Sequence, residues 1–72
     1  MFKLEFYLDE NLPIEISIID INGRLVKLLY KDAAKQGRNL LSFNKGALKN
    51  GTYFVKINSN QNIIQNEKII IQ

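Results

Sequence analysis

Few residues of this chain could carry out chemistry. Histidine and cysteine are both absent from the 72 residues. This removes the usual general base, the Ser-His and Cys-His nucleophile pairs, thiolate metal sites and the commonest zinc ligand. Carboxylates remain, but Asp9 and Glu10 are neighbours whose side chains point to opposite sides of an extended chain. We therefore predict that the chain is not an enzyme and holds neither a metal nor another cofactor.

Two short patterns are similar to binding motifs, but turns explain both better. Asp-Ile-Asn-Gly at 20–23 is similar to the middle of a calcium loop, yet that alignment places Ile18 at the first ligand position and Leu29 at the last. Asn-Gly-Thr at 50–52 satisfies the glycosylation pattern, although Asn-Gly is also among the strongest turn signals. We interpret both patterns as turns.

The formal charge of +3 is unevenly distributed along the chain. Residues 1–23 carry five acidic side chains and one base, whereas residues 24–49 carry seven bases and one acid. The bases are spaced singly without a nucleic-acid motif around them, so we interpret them as a solvated face and expect no nucleic-acid partner. No segment approaches the roughly 20 apolar residues that span a bilayer, so we expect no membrane insertion.

The elements that position these residues are predicted to be β-strands. A chain this short forms one domain, residues 1–72, and buries only about 60 % of the surface that its unfolded form exposes. Apolar and polar residues alternate in short runs, which is typical of strands with one wet face. The predicted strands are 2–8, 14–19, 24–30, 40–44, 52–57 and 63–71, with a polar loop between 31 and 37 and turns at 45–51 and 59–62. No useful length has helical periodicity, so we predict an all-β sandwich.

The connection between the second and third predicted strands has two possible registers. A two-residue turn at 22–23 would place Ile18 opposite Lys27 and Ser17 opposite Leu28, which pairs apolar with polar side chains.

A type I turn that begins at Asp20, with Gly23 left-handed in a bulge, avoids these mismatches. Its expected pairs are Ile18 with Val26, Ile16 with Leu28, and Ile14 with Tyr30. All three pairs are apolar, so the sequence favours the bulged hairpin.

Three blocks of the sequence carry a resemblance to a known family. They are ISIIDINGRLVK at 16–27, LKNGTYFVKI at 48–57 and EKIIIQ at 67–72. In this order and spacing they resemble the C-terminal sorting domain of type IX secretion cargo, the type A Por secretion tail. The resemblance covers nearly all the chain from Ile14 onward, and a chain end a few residues past a lysine is part of the family pattern. The Pro-Asn-Pro element that the family has at its start is replaced by Met1-Phe2.

The resemblance implies an immunoglobulin-like antiparallel β-sandwich of six or seven strands at the C-terminus of a larger secreted protein. In the family, the outer-membrane type IX translocon reads this domain after the upstream cargo domain of the same chain reaches the periplasm. A sortase-like surface peptidase commonly cleaves the domain off, ahead of its start, and attaches the cargo to surface lipopolysaccharide. The expected location is therefore the periplasm in transit, and then the cell surface or the medium.

The matches also suggest roles for individual residues. The motif and turn residues are Asp20, Asn22, Gly23, Asn50, Gly51 and Tyr53. Both glycines fit positions where a positive φ relieves strain, and Tyr53 is expected to pack in the core. The candidates for partner recognition are Arg24, Lys68, Ile69, Ile70, Ile71 and Gln72. Within this set, the final strand could pair edge-on with a receptor strand.

Two other classes of protein remain open at this point. One is a generic immunoglobulin-like accessory or adhesion module, such as a surface spacer or the sandwich domain of a flagellar hook-capping protein. The other is a carbohydrate-binding module, which normally presents a flat aromatic platform. The chain has no tryptophan, and Tyr53 and Phe54 point to opposite sides of one strand, which argues against the carbohydrate-binding module.

Overall fold

The computed structural model describes residues 2–60 and 62–72, which form six β-strands and no helix. The strands are β1 (Phe2–Leu8), β2 (Leu12–Asp20), β3 (Leu25–Ala34), β4 (Gly37–Phe43), β5 (Gly51–Ser59) and β6 (Asn62–Ile71). The predicted all-β class is confirmed, and each predicted strand has an observed counterpart. Two parts of the predictions, Met1 in the departure from the family start and Gln61 in the turn at 59–62, lie outside the described residues.

The strands form two antiparallel sheets that face each other. The small sheet pairs β1 with β4, and the large sheet has the strand order β3-β2-β5-β6. A hydrophobic core lies between the sheets. This arrangement confirms the predicted sandwich and is consistent with an immunoglobulin-like fold.

The core is built from alternate residues of the strands. Its buried apolar residues are Leu4, Phe6, Leu8, Ile14, Ile16, Ile18, Ala34, Leu48, Val55, Ile57 and Ile71. Ile18 and Ile57 come from the two inner strands of the large sheet and are fully buried. Each such side chain contributes about 1.5–3 kcal/mol relative to an exposed one. Ser59 is also buried, and its hydroxyl donates to the Pro13 carbonyl oxygen at 2.7 Å, so the end of β5 is fastened to β2.

The β2–β3 hairpin has the predicted turn. The Gly23 amide donates to the Asp20 carbonyl oxygen at 3.0 Å, and Gly23 has a φ of 83°. Ile21 and Asn22 do not have positive φ, which identifies a type I turn followed by a left-handed glycine. Beyond the turn, Ile19 pairs with Leu25.

The predicted register of this hairpin is wrong. The expected pairs were Ile18 with Val26, Ile16 with Leu28, and Ile14 with Tyr30, whereas Ile18 faces Lys27, Ser17 faces Leu28, Ile16 faces Tyr30 and Ile14 faces Asp32. Two register shifts leave Val26 and Leu29 as extra residues in β3. Leu29 and Tyr30 then pack against the core, while Val26 and Leu28 remain exposed. The prediction assumed that the small sheet covers the whole of β3. Residues 25–28 of β3 are exposed, so the small sheet does not cover this end of the strand.

The predicted polar loop between 31 and 37 is also wrong. β3 continues to Ala34 and pairs with the first residues of β2, which begins at Leu12. Backbone pairing does not require apolar side chains, and the exposed Lys31 and Asp32 still reach solvent. The remaining connection is short, and the Gln36 amide donates to the Asn11 side-chain oxygen at 2.7 Å, which fixes it to the start of β2.

Candidate functional site

The first motif block forms the tip of the β2–β3 hairpin. One carboxylate oxygen of Asp20, Oδ1, accepts hydrogen bonds from the amides of Asn22 and Arg24, each at 2.9 Å. The Asp20 amide donates to the Arg24 carbonyl oxygen at 2.9 Å and closes the hairpin. These contacts show why the turn has an aspartate at position 20, because the carboxylate satisfies amides that the bulge leaves without strand partners.

Arg24 extends from this tip into solvent. Its side chain is 77 % exposed, and its Nε atom lies 3.8 Å from Asp20 Oδ2. An exposed pair at this distance contributes little to stability. The guanidinium is therefore presented outward, as a recognition role requires.

Replacing Asp20 with alanine is expected to lower the free energy of unfolding by about 1–2 kcal/mol, because two turn amides lose a charged acceptor. Asp20→Asn keeps a side-chain oxygen in the same place and is expected to cost about 0.5 kcal/mol or less. Urea unfolding monitored by circular dichroism compares the two variants. Equal losses in both would contradict a role for the hydrogen bonds.

The second motif block closes the loop that leads into β5. The Tyr53 hydroxyl donates to the Lys49 carbonyl oxygen at 2.7 Å while its ring packs, half-buried, against the core. The Lys45 ammonium donates to Asn50 Oδ1 at 2.8 Å, and Gly51 has the expected positive φ, at 157°. The interpretation of Asn50-Gly51 as the turn is wrong, because the hydrogen-bonded turn lies at 45–48 and Gly51 is already the first residue of β5. Tyr53 thus supports the fold, as the sequence predicted.

The third motif block lies in β6, at the edge of the large sheet. In the described chain β6 pairs only with β5, so the backbone groups on its other side face no strand. Lys68, Ile70 and Gln72 are exposed, Ile69 is half-buried, and Ile71 is 1 % exposed. A partner can therefore contact the side chains of the exposed residues, whereas Ile71 is covered by the rest of the domain.

The sheet register brings the three blocks together. Asp20 pairs with Tyr53 and Tyr53 pairs with Ile69, while Gly51 pairs with Ile71. We call this region, formed by residues 20–24, 51–54 and 68–72, the motif end of the large sheet. Adjacent strands of a sheet lie about 4.8 Å apart. β3 and β6 are three strand spacings apart, so the β3 side of the hairpin lies about 14 Å from Lys68.

Comparison with protein families gives a match that covers the whole chain. The family described as "Secretion system C-terminal sorting domain" matches residues 1–72. The chain belongs to this family. Comparisons with curated proteins and with solved structures gave no match. The family match decides against the accessory and carbohydrate-binding modules that the sequence left open.

As a member of this family, the sorting domain is a C-terminal signal for type IX secretion. Type IX secretion exports proteins to the cell surface or the extracellular space. The family is a family of sorting signals, not of enzymes. Across residues 2–60 and 62–72, no three His, Cys, Asp or Glu side chains are grouped as metal ligands. In the same residues, no helix is long and apolar enough to cross a membrane.

Sequence reasoning missed an ion pair on the small sheet of the sorting domain. Arg38 Nε donates to Glu5 Oε2 at 2.6 Å, and this hydrogen bond raises the pKa of Arg38 above its usual value. The two residues are 33 positions apart, so only the β1–β4 register identifies them as neighbours. Both side chains are well exposed, and we assign the pair no part in the site.

Sequence reasoning also missed Lys56, which is a neighbour of Lys68. Val55 and Ile57 are buried, so the alternating Phe54 and Lys56 lie on the outer face of the large sheet. Phe54 pairs with Lys68, which places both lysines on this face, diagonally across β5 and β6. The alternation of residues 54–57 predicts that Lys56 lies on the outer face. Only the pairing of β5 with β6 shows that Lys68 lies beside it.

An open groove of about 570 Å³ lies at the opposite end of the large sheet from the motif end. Its polar lining comes from Glu15, Lys31, Asp32, Asn58 and Asn60. The Oδ1 atom of Asn58 is buried and accepts no hydrogen bond from the described part of the chain. None of the predicted site residues lines this groove.

Proposed function

We propose that this domain is the C-terminal export signal of a larger cargo protein, which the outer-membrane type IX translocon recognises in the periplasm. In this proposal the cargo precedes the domain in the same chain and carries the biological activity. A sortase-like surface peptidase then removes the domain and joins the cargo to surface lipopolysaccharide. The match of the family to residues 1–72 carries the proposal.

Within this proposal, the translocon contacts the motif end of the large sheet. The exposure of Arg24, Lys68, Ile70 and Gln72 supports their role in recognition, as does their location on one end of one sheet. Asp20, Asn22, Gly23, Asn50, Gly51 and Tyr53 serve this surface indirectly. They form the turn and the loop that hold the hairpin tip and the start of β5 in place.

An export assay tests the sorting function. A reporter enzyme with a periplasmic export peptide is fused ahead of residues 1–72 and expressed in a bacterium that has a type IX system. We expect reporter activity at the surface and in the medium, and we expect it to remain in the periplasm of an isogenic strain without the translocon. The matched control is the same reporter without the domain. Retention of the full fusion in the periplasm of the secreting strain would refute the proposal.

The same fusion tests the cleavage step separately. Mass spectrometry of the exported reporter is expected to show a product without the 72 residues, and a surface-bound product is expected to carry lipopolysaccharide. An exported reporter that keeps the whole domain would leave sorting in place and refute the cleavage.

A further inference from the structure

The large sheet has two edge strands in the described structure, and they differ in regularity. β3 contains two register shifts, at Val26 and Leu29, whereas β6 contains one, at Ile64, and its residues 65–71 pair with β5 without a shift. A bulge increases twist and disrupts the row of backbone groups that an added strand needs. The edge of β6 is therefore better suited to receive another strand than the edge of β3.

The outer face beside this edge is apolar and positively charged. Phe54 and Ile70 lie there together with Lys56 and Lys68, and Ile70 is 57 % exposed. Among the described residues, the ion pairs shorter than 4.0 Å involve Arg24 and Arg38. Lys56 and Lys68 therefore have no carboxylate within that distance. Glu67 is next to Lys68 in sequence, but it pairs with the buried Val55 and so points to the other face.

We infer that the edge of β6 accepts a β-strand of a partner protein, and that this strand carries a carboxylate opposite Lys68 and an apolar side chain opposite Ile70. The inference rests on the proposed function and names the chemistry of the receptor segment. Backbone hydrogen bonds along residues 65–70 supply affinity, and the alternating side chains supply specificity. Opposite charges across a strand pair stabilise it, and like charges destabilise it.

Charge reversal at Lys68 tests the inference in the export assay. Lys68→Glu is expected to lower export about tenfold, because a carboxylate would face the carboxylate of the incoming strand. Lys68→Gln is expected to fall between this variant and the wild type. The matched control is Lys3→Glu, which reverses an exposed lysine on the outer face of the small sheet, opposite Ser42, and is expected to leave export unchanged. Circular dichroism of the isolated 72-residue chains checks that each variant folds.

Peptide binding tests the same surface without secretion. Two eight-residue strand-forming peptides, identical except for a central Glu or Lys, are titrated into the ¹⁵N-labelled chain. The Glu peptide is expected to shift the amide resonances of residues 65–71, and Lys68→Glu is expected to reverse the preference. Equal binding of both peptides, no binding of the Glu peptide, or shifts confined to β3 would overturn the inference.

Two further measurements distinguish other occupants of this surface. Binding to vesicles of anionic lipid without binding of the Glu peptide would replace the strand with a membrane surface. A concentration-dependent dimer that Lys68→Glu alters would replace it with a second copy of the chain. If the fusion is not exported but the Glu peptide still binds with the expected reversal, the sorting proposal fails and the strand-binding surface stands.

Discussion

Ile71→Ala is expected to lower the free energy of unfolding by about 2–5 kcal/mol. The Ile71 side chain is 1 % exposed and belongs to the core cluster, although it is the last residue of β6. A chain of this length has a total stability of about 4–11 kcal/mol. The substitution is therefore expected to bring the domain close to its unfolding threshold.

The matched control for this variant is the residue beside it. Ile70 lies on the opposite face of β6 and is 57 % exposed, so Ile70→Ala is expected to change stability by about 0.5 kcal/mol or less. Urea unfolding followed by far-ultraviolet circular dichroism measures both variants. Similar losses of unfolding free energy in the two variants would show that Ile70 and Ile71 do not lie on opposite faces of β6, one in solvent and one in the core.

Deletion of residues 68–72 is expected to reduce export of a reporter fusion to the level of the reporter without the domain, while the reporter itself stays folded. The deletion removes the exposed Lys68 and Ile70, the pairing with residues 51–54 of β5, and the buried Ile71. It therefore removes recognition and stability together. Undiminished secretion would refute a role for the final strand.

Point variants separate the two effects of this deletion. Lys68→Glu changes the surface and keeps the core, whereas Ile71→Ala weakens the core and keeps the exposed side chains. If Ile71→Ala alone reproduced the deletion while Lys68→Glu exported normally, export would depend on the fold of the domain and not on the outer face of β6.

The strands could be predicted from the sequence because their signals are local. Phe2, Leu4, Phe6 and Leu8 alternate with polar or exposed residues, and β1 begins and ends where the alternation does. The turn at Asp20 was predictable for the same reason, since one carboxylate and one glycine determine it.

The register of β3 could not be predicted in this way. Pairing apolar residues of β2 with apolar residues of β3 assumes that the small sheet covers both strands along their whole length. That cover is supplied by β1 and β4, which are separate segments of the sequence. Leu25 is 65 % exposed in spite of its apolar side chain. The two bulges in β3 depend on these long-range contacts, which leave no local pattern in the sequence.

The candidate site was only partly predictable. Apart from Ile21, Thr52 and Phe54, the residues of the motif end were named from the sequence, but their convergence depends on the order β3-β2-β5-β6, in which distant segments become neighbours. Lys56 was not named, because its importance comes from lying diagonally to Lys68 across two strands. The roles of Arg24 and Lys68 in recognition stay predictions.

The division of the two terminal strands between different sheets has a mechanical consequence. β1 belongs to the small sheet and β6 to the large sheet. In the proposed arrangement the cargo is joined ahead of β1 and the receptor holds β6, so tension between them crosses from one sheet to the other. The short connections at 9–11 and 35–36 also join the two sheets covalently. The pull on the cargo is therefore expected to load these connections together with the core, and not the hydrogen bonds of one sheet alone.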